Sequence, residues 1–358
     1  MERLVLHDHH LSHGGVLTAY FGWELPEHYG DPAGEYVAAR ASVGLMDRTA
    51  WGRLSLTGRD RMALLHRMST NVVEGLLPGQ GVATVLTSPT ARIVERLILY
   101  AQEERLLAIT APQNRARVAQ YLRSYIFWQD EVSIGDLSDE LSMLTLIGPR
   151  AAETIQTAAG VAVSDLPPHF YLLGSIAGAE ALVARTDPIG GDAYNVIVPT
   201  EMLVAAWDAL VEAGARPIGL SAWETLRVEG GIPTYGQELT EKVTPLDAGL
   251  LADISFNKGC YTGQEVIARM YNYEKMPRGL YGLRLAHPLP PGKEATVVAD
   301  GKPAGEVTSV AVSPSLGPIA LAILRRALTS AGMEVTVQVA DQSVAGQVVE
   351  LPFISDQK

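Results

Sequence analysis

Hydrophobic and polar positions alternate along this chain with two different periods, and the switches between them mark its elements. In residues 53–57, RLSLT, apolar and polar side chains trade places at every step, the signature of a half-buried strand. Gly58 interrupts that run, and residues 60–68 then carry Met62, Leu64 and Leu65 on one stripe of a helix. Pro78-Gly79 turns the chain before a strand at 82–86. Strands at 93–100 and 105–110 follow, then a helix at 113–128. Residues 35–46 read as a short amphipathic helix running into a buried strand or turn. Strand, helix, strands and helix joined by short turns predict a compact α+β unit.

The same grammar continues downstream. LSMLTLIG brings the chain back to strand between 135 and 148, and a helix at 149–159 follows. Pro167-Pro168 breaks the chain ahead of strands near 178–185 and 194–199. A helix at 202–213 closes at Gly214, the usual left-handed residue after a helix. Residues 218–230 form another, with Ser221 three positions before Glu224 as a capping box. From 278 onward short β runs alternate with Gly and Pro turns. Asp300-Gly301 is a strong hairpin signal between two of them, and strands at 316–324 and 333–340 complete a small barrel or sandwich.

The stretch that carries candidate chemistry is 256–265, FNKGCYTGQE, which holds the single cysteine, Cys260. Asn257-Lys258-Gly259 reads as a turn. Thr262 with Glu265 has the form of a capping box, and Val266, Ile267 and Met270 continue at helical spacing. Cys260 would then lie just before a helix N-terminus, with the Lys258 cation two residues away. Both favour a reactive thiolate. The plainer reading is a small buried hydrophobe with an inert sulfur.

Bulk properties narrow the function classes. A length of 358 residues allows two or three domains. A net charge of -12 without any basic block argues against direct nucleic-acid binding. The N-terminus lacks a signal-peptide core, and no run approaches the roughly 18 apolar residues of a membrane helix. One cysteine fits a reducing cytoplasm and excludes an iron–sulfur cluster held by this chain's own thiolates, which takes about four ligands. His7, His9, His10 and His13 invite a metal, yet no acidic or cysteine partner at ligand spacing completes a site, so no metal is expected.

The run KGCYTGQE resembles the signature of the YgfZ family, relatives of the glycine-cleavage aminomethyltransferase, in which this cysteine is the hallmark. The likeness to that wider superfamily covers nearly the whole chain. It includes His10, Gly14, Gly22-Trp23, Pro26 and Tyr29, then GLMD at 44–47, RVEGGIPTYGQEL at 227–239 and SPSLGPIALAIL at 313–324. It implies an α+β fold of three domains around a central opening: two α+β antiparallel-sheet domains, one inserted in the other, and a C-terminal small β-barrel. The boundaries expected are 1–50 with 141–275 for the discontinuous first domain, 51–140 for the insert and 276–358 for the barrel.

What the resemblance implies for the site is mixed. The enzyme's two adjacent aspartates, the second catalytic, read Glu95-Arg96 here, and an arginine reverses the sign of the carboxylate that the chemistry uses. This leaves catalysis open and argues against glycine-cleavage aminomethyl transfer. The pterin-gripping glutamate falls on Asn195, a tyrosine becomes Ala83, and Trp51 and Trp223 replace two further contacts, while Arg227 remains. Trp51, Arg96, Asn195, Trp223 and Arg227 are therefore the expected folate-binding residues, with tetrahydrofolate as ligand. Asn195 would bond the pterin edge, the tryptophans would stack on a ring, and Arg96 would meet an anionic part of the ligand. The functional expectation is a cytoplasmic, YgfZ-like protein supporting iron–sulfur cluster assembly or repair in client proteins. Cys260 would act as thiolate, Lys258 would stabilise it, and Gln264 or Glu265 would hold the helix start. The rival readings are a folate-dependent one-carbon transferase or demethylase, with Glu95 or Asp192 as its carboxylate, and a non-catalytic folate-binding module.

Overall fold

The computed structural model describes residues 1–273, 276–290, 292 and 294–354. The chain forms two compact units: Met1–Leu86 with Glu95–Trp223, and Thr87–Val94 with Glu224–Lys358.

Two α+β sheets and a small N-terminal one build the first unit. The larger has six strands in the order Tyr171–Ile176, Ala179–Arg185, Ala193–Pro199, Leu141–Ile147, Gly44–Asp47 and Arg216–Pro217. All its pairings are antiparallel except the last. Period-two alternation decides what each face does. Tyr194, Val196 and Val198 join Leu144 and Leu146 in a core with Ile155, Leu203, Trp207 and Leu210 from the helices Ala151–Ala159 and Leu203–Glu212. Thr145 and Asn195, cross-strand partners, therefore face the other way. The second sheet runs Gly81–Thr87, Ile93–Ala101, Arg105–Thr110, Gly52–Thr57 and Ser133–Asp136. On Ile93–Ala101, alternation puts Glu95, Leu97 and Leu99 on one face and Arg96 and Tyr100 on the opposite one.

The second unit contains a closed antiparallel barrel of six strands, in the order Arg278–Leu285, Gly317–Arg325, Lys302–Ser313, Thr296–Ala299, Glu334–Val339 and Gln342–Val349. Leu283, Val297, Ala322, Leu324, Val337 and Val348 fill it. Its Asp300-Gly301 turn has positive φ at both residues, 48° and 72°, as a two-residue hairpin turn requires.

Several elements differ from the sequence expectations. The helix expected at 113–128 spans Arg115–Arg123 only, because the Asp130 carboxylate takes the Phe127 amide at 2.8 Å and turns the chain out. Asn114 sends its side chain to Glu95 and leaves the helix start uncapped. Ser221, expected ahead of its helix as a cap, lies within the helix Leu220–Glu229. The hairpin Val16–Tyr20 to Trp23–His28 was not evident, since its turn uses Phe21 at φ 45°, a conformation that sequence rules reserve for Gly or Asn. Among the described residues no helix is long and apolar enough to cross a membrane.

Candidate functional site

Each unit carries part of what the sequence singled out. In the first, the faces of Ile93–Ala101 and Ala193–Pro199 opposite their helices supply a polar cluster. Asn195 is fully buried. Its Oδ1 accepts from the Thr145 hydroxyl at 2.8 Å, and its Nδ2 donates to the Tyr100 hydroxyl at 3.1 Å. Burial pushes the Tyr100 hydroxyl up to about 12, the Asn195 bond opposing that rise. The amide expected to grip a pterin edge is thus engaged at both ends inside the protein.

Arg96 is matched from within. Its Nη1 and Nη2 donate to Asp187 Oδ2 and Oδ1 at 2.7 and 3.1 Å, a bidentate pair, and His169 Nε2 lies 3.6 Å from the same carboxylate. Burial alone would raise Asp187. The Arg96 charge and hydrogen bonds, with the charges of His169 and Arg48, bring it down to about 2. Sequence reasoning missed Asp187, which is 91 residues from its partner. Asp192, offered as a carboxylate for this site, pairs with Arg185 at 2.7 Å. Glu95 points into the opposite face and is 1% exposed. It accepts from Asn114 Nδ2 at 2.9 Å and from the Ala111 and Arg96 amides. Burial outweighs those three bonds and moves its carboxyl from 4.5 to about 7. Glu95 therefore lies on the buried face, where it meets the Arg96 backbone amide while the Arg96 guanidinium pairs with Asp187.

Trp51 and Trp223 come together, but against each other. Their ring centroids are 5.9 Å apart, edge to face, and Tyr20 stacks on Trp51 at 6.0 Å. At 5% and 4% exposure they do not present the open face that stacking on a ligand was expected to use. Arg48, which sequence reasoning also passed over, lays its guanidinium 4.1 Å from the Trp51 centroid and 5.9 Å from that of Trp223. Burial lowers it to about 10. Ala83 is buried.

The second unit holds Arg227 and the cysteine segment. Arg227 is fully buried and donates to Glu224 Oε2 at 2.8 Å, Ile232 O at 3.3 Å, Glu238 Oε2 at 3.4 Å and Ser309 Oγ at 2.8 Å, as well as to Gln237. Its donors tie a helix end to a loop and a barrel strand rather than to open space. Cys260 is exposed. The helix after it spans Gln264–Asn272, and Gly263 at φ 85° precedes it as N-cap without any side-chain cap. The N-cap is Gly263 rather than the expected Thr262; Glu265 pairs with Arg269 at 3.0 Å, and the Thr262 carbonyl accepts from Thr87 Oγ1 at 2.5 Å. Gln264 Oε1 does accept the Tyr261 amide at 3.3 Å, and Lys258 Nζ lies 5.1 Å from the Tyr261 ring. Tyr261, Ile254, Leu246, Ala91 and Ile267 form the small core under this loop. Among the described residues, no group of three or more His, Cys, Asp or Glu is placed to hold a metal. His10, one of the four early histidines, is buried between Asp47 Oδ2 at 3.0 Å and the Tyr29 hydroxyl at 2.8 Å.

Residues 6–258 match the GCVT N-terminal domain, and residues 278–355 match the glycine cleavage T-protein C-terminal barrel domain. The chain is 30% identical over 361 residues to the aminomethyltransferase of Bacillus subtilis (strain 168), covering 99% of each. It is 32% identical over 367 residues to that of Streptomyces coelicolor, covering 100% of this chain and 99% of the relative. Its fold matches the glycine cleavage system aminomethyltransferase T from Bartonella henselae with a TM-score of 0.89 at 24% identity, covering 99% and 98% of the two chains. The chain belongs to the glycine cleavage T-protein family, with its three-domain α+β and β-barrel fold.

Proposed function

We propose that this protein is a folate-dependent one-carbon transferase whose carboxylate is Asp187. The observation that carries the reading is the Arg96–Asp187 pair. Transfer of a one-carbon unit to tetrahydrofolate needs an anionic group to face the cationic nitrogen that develops. Position 96 supplies a cation, and Asp187 supplies an ionised carboxylate on the same cluster. Full-length similarity to two aminomethyltransferases supports the substrate class. Tetrahydrofolate would provide the nucleophilic nitrogens that accept the carbon. Donors carrying that carbon as an aminomethyl group need no oxidant: two bonds form from the carbon to the folate nitrogens while its bonds to ammonia and to the donor's carrier break, and the two folate N–H protons leave with ammonia and with the carrier. The fit to the ligand rests on Asp187 rather than on Asn195 or the two tryptophans. Purified protein with tetrahydrofolate and a panel of aminomethyl donors should yield methylene-tetrahydrofolate by mass spectrometry. Asp187→Asn should lower the rate by about 100-fold or more while tetrahydrofolate still binds. Full activity in that variant would reject the assignment.

A second reading is favoured by one observation, the exposure of Cys260. It is the YgfZ-like role: support of iron–sulfur client proteins by a single cytoplasmic thiolate, with Lys258 and Gln264 arranging its loop. Cys260→Ser should then abolish support of client enzymes in cells while leaving folate affinity intact. Equal support from the variant removes this reading.

A further inference from the structure

We infer that Arg48 is the anchor for a ligand carboxylate. Charge bookkeeping in the first unit singles it out. Arg96 and Asp187 neutralise each other through two hydrogen bonds. Asp187 is also the one carboxylate whose charge acts appreciably on Arg48, and it is already committed. No ion pair forms on the Arg48 guanidinium among the described residues, and its Nε is buried without a hydrogen-bond partner. One positive charge, half-buried and with its Nε out of contact with water, is thus left over. An unmatched buried charge is costly unless a partner arrives.

Geometry fixes what that partner is. Stacking on Trp51 at 4.1 Å uses the face of the guanidinium and leaves its N–H edge to donate in plane. Two parallel N–H groups match the two oxygens of a carboxylate. A single surplus charge favours a monoanionic group. This inference deepens the one-carbon reading, on which its role in substrate recognition rests. Two sources present the same chemistry: the glutamyl tail of tetrahydrofolate, or the carboxylate of a small amino-acid donor.

All five tryptophans, Trp23, Trp51, Trp128, Trp207 and Trp223, lie in the first unit, and two of them touch Arg48. Tryptophan fluorescence therefore reports binding of tetrahydrofolate, 6-methyltetrahydropterin (which carries no carboxylate), acetate and glycine. Arg48→Met should weaken at least one carboxylate-bearing probe by about 10- to 100-fold, and Arg48→Lys should recover only part of that loss. If tetrahydrofolate weakens and 6-methyltetrahydropterin does not, the tail is the partner. If acetate and glycine weaken while tetrahydrofolate and the pterin hold, the donor is. Arg48-dependent binding of acetate or glycine with no folate binding by wild type would keep the anion site and sink the one-carbon reading. Arg48→Met should also keep its melting temperature, since it removes an unmatched charge. A fall of more than about 10 °C, or affinities independent of residue 48 for all four probes, overturns the inference.

Discussion

Replacing Glu95 by Gln is the perturbation whose magnitude the structure defines best. The carboxyl is 1% exposed and rises from 4.5 to about 7, burial prevailing over bonds from Asn114, Ala111 and Arg96. In the unfolded chain the group ionises at its ordinary value, so between pH 4.5 and 7 the unfolded state holds fewer protons. Stability is then fully present below about 4.5 and lost as the pH rises through about 7. A rise of about 2.5 pH units, at about 1.36 kcal/mol each, amounts to about 3 kcal/mol across that window. Glutamine cannot ionise, and it turns one amide donor toward groups that themselves donate. Glu95→Gln should therefore cost stability at low pH, yet flatten the profile.

The assay is urea unfolding followed by tryptophan fluorescence, which isolates the first unit because all five tryptophans reside there. Wild type should lose about 3 kcal/mol more than Glu95→Gln between about pH 4.5 and pH 8. The slope, not the absolute stability, is the readout, so the variant's altered hydrogen bonding does not confound it. Parallel profiles within about 0.5 kcal/mol would refute the claim that burial governs this carboxyl.

Three further outcomes follow from contacts described above. Arg96→Asp would set two carboxylates at the distance now spanned by a salt bridge and should cost about 2–4 kcal/mol by the same fluorescence assay; adding Asp187→Asn should return part of that loss, and strict additivity would deny the coupling. Arg227→Met leaves the buried Glu238 carboxylate without its counter-charge and should cost about 3–5 kcal/mol, read by calorimetry as a selective fall of the transition that fluorescence does not see. At Gly263, φ is 85° and an added Cβ would meet Ser88 O at 2.8 Å, so Gly263→Ala should lose about 1–3 kcal/mol; Gly259→Ala, with open space around it, should be nearly neutral, and equal effects would contradict the cap geometry.

How much of this was legible in the chain depends on the range of the interaction. Local signals read well. The 300–301 turn, the helix ending before Gly214 and the strand LSMLTLI are each set by residues within a few positions of one another. The end of the helix at Arg123 was not, because its cause is a side chain that diverts the Phe127 amide. Site residues fared by the same rule. Cys260 was identified from its own segment and is exposed, but the helix after it starts from Gly263 and not from the Thr262 that the local pattern pointed to. Asn195, Trp51, Trp223 and Arg227 were chosen as ligand contacts by position. Each spends its polar atoms or ring faces on neighbours far away in sequence, such as Tyr100, Tyr20 and Ser309. No single-chain pattern announces those partners.

The arginine at position 96 shows why one position cannot decide the chemistry of a site. Taken alone, it reverses the sign where the resemblance expects a carboxylate, and the natural conclusion is lost function. Taken with its neighbours, it is half of a neutral pair whose other half, Asp187, brings an ionised carboxylate beside it from the segment beyond the strand Ala179–Arg185. The surplus charge then passes to Arg48, held against Trp51. On that proposal, what the site offers a ligand is the sum over these groups: one ionised carboxylate already clamped by Arg96, and one guanidinium edge on Arg48, which is stacked on Trp51. A monoanion bearing a one-carbon group satisfies that sum, whereas a cationic amine lacking a carboxylate would leave Arg48 unmatched and add a second positive charge.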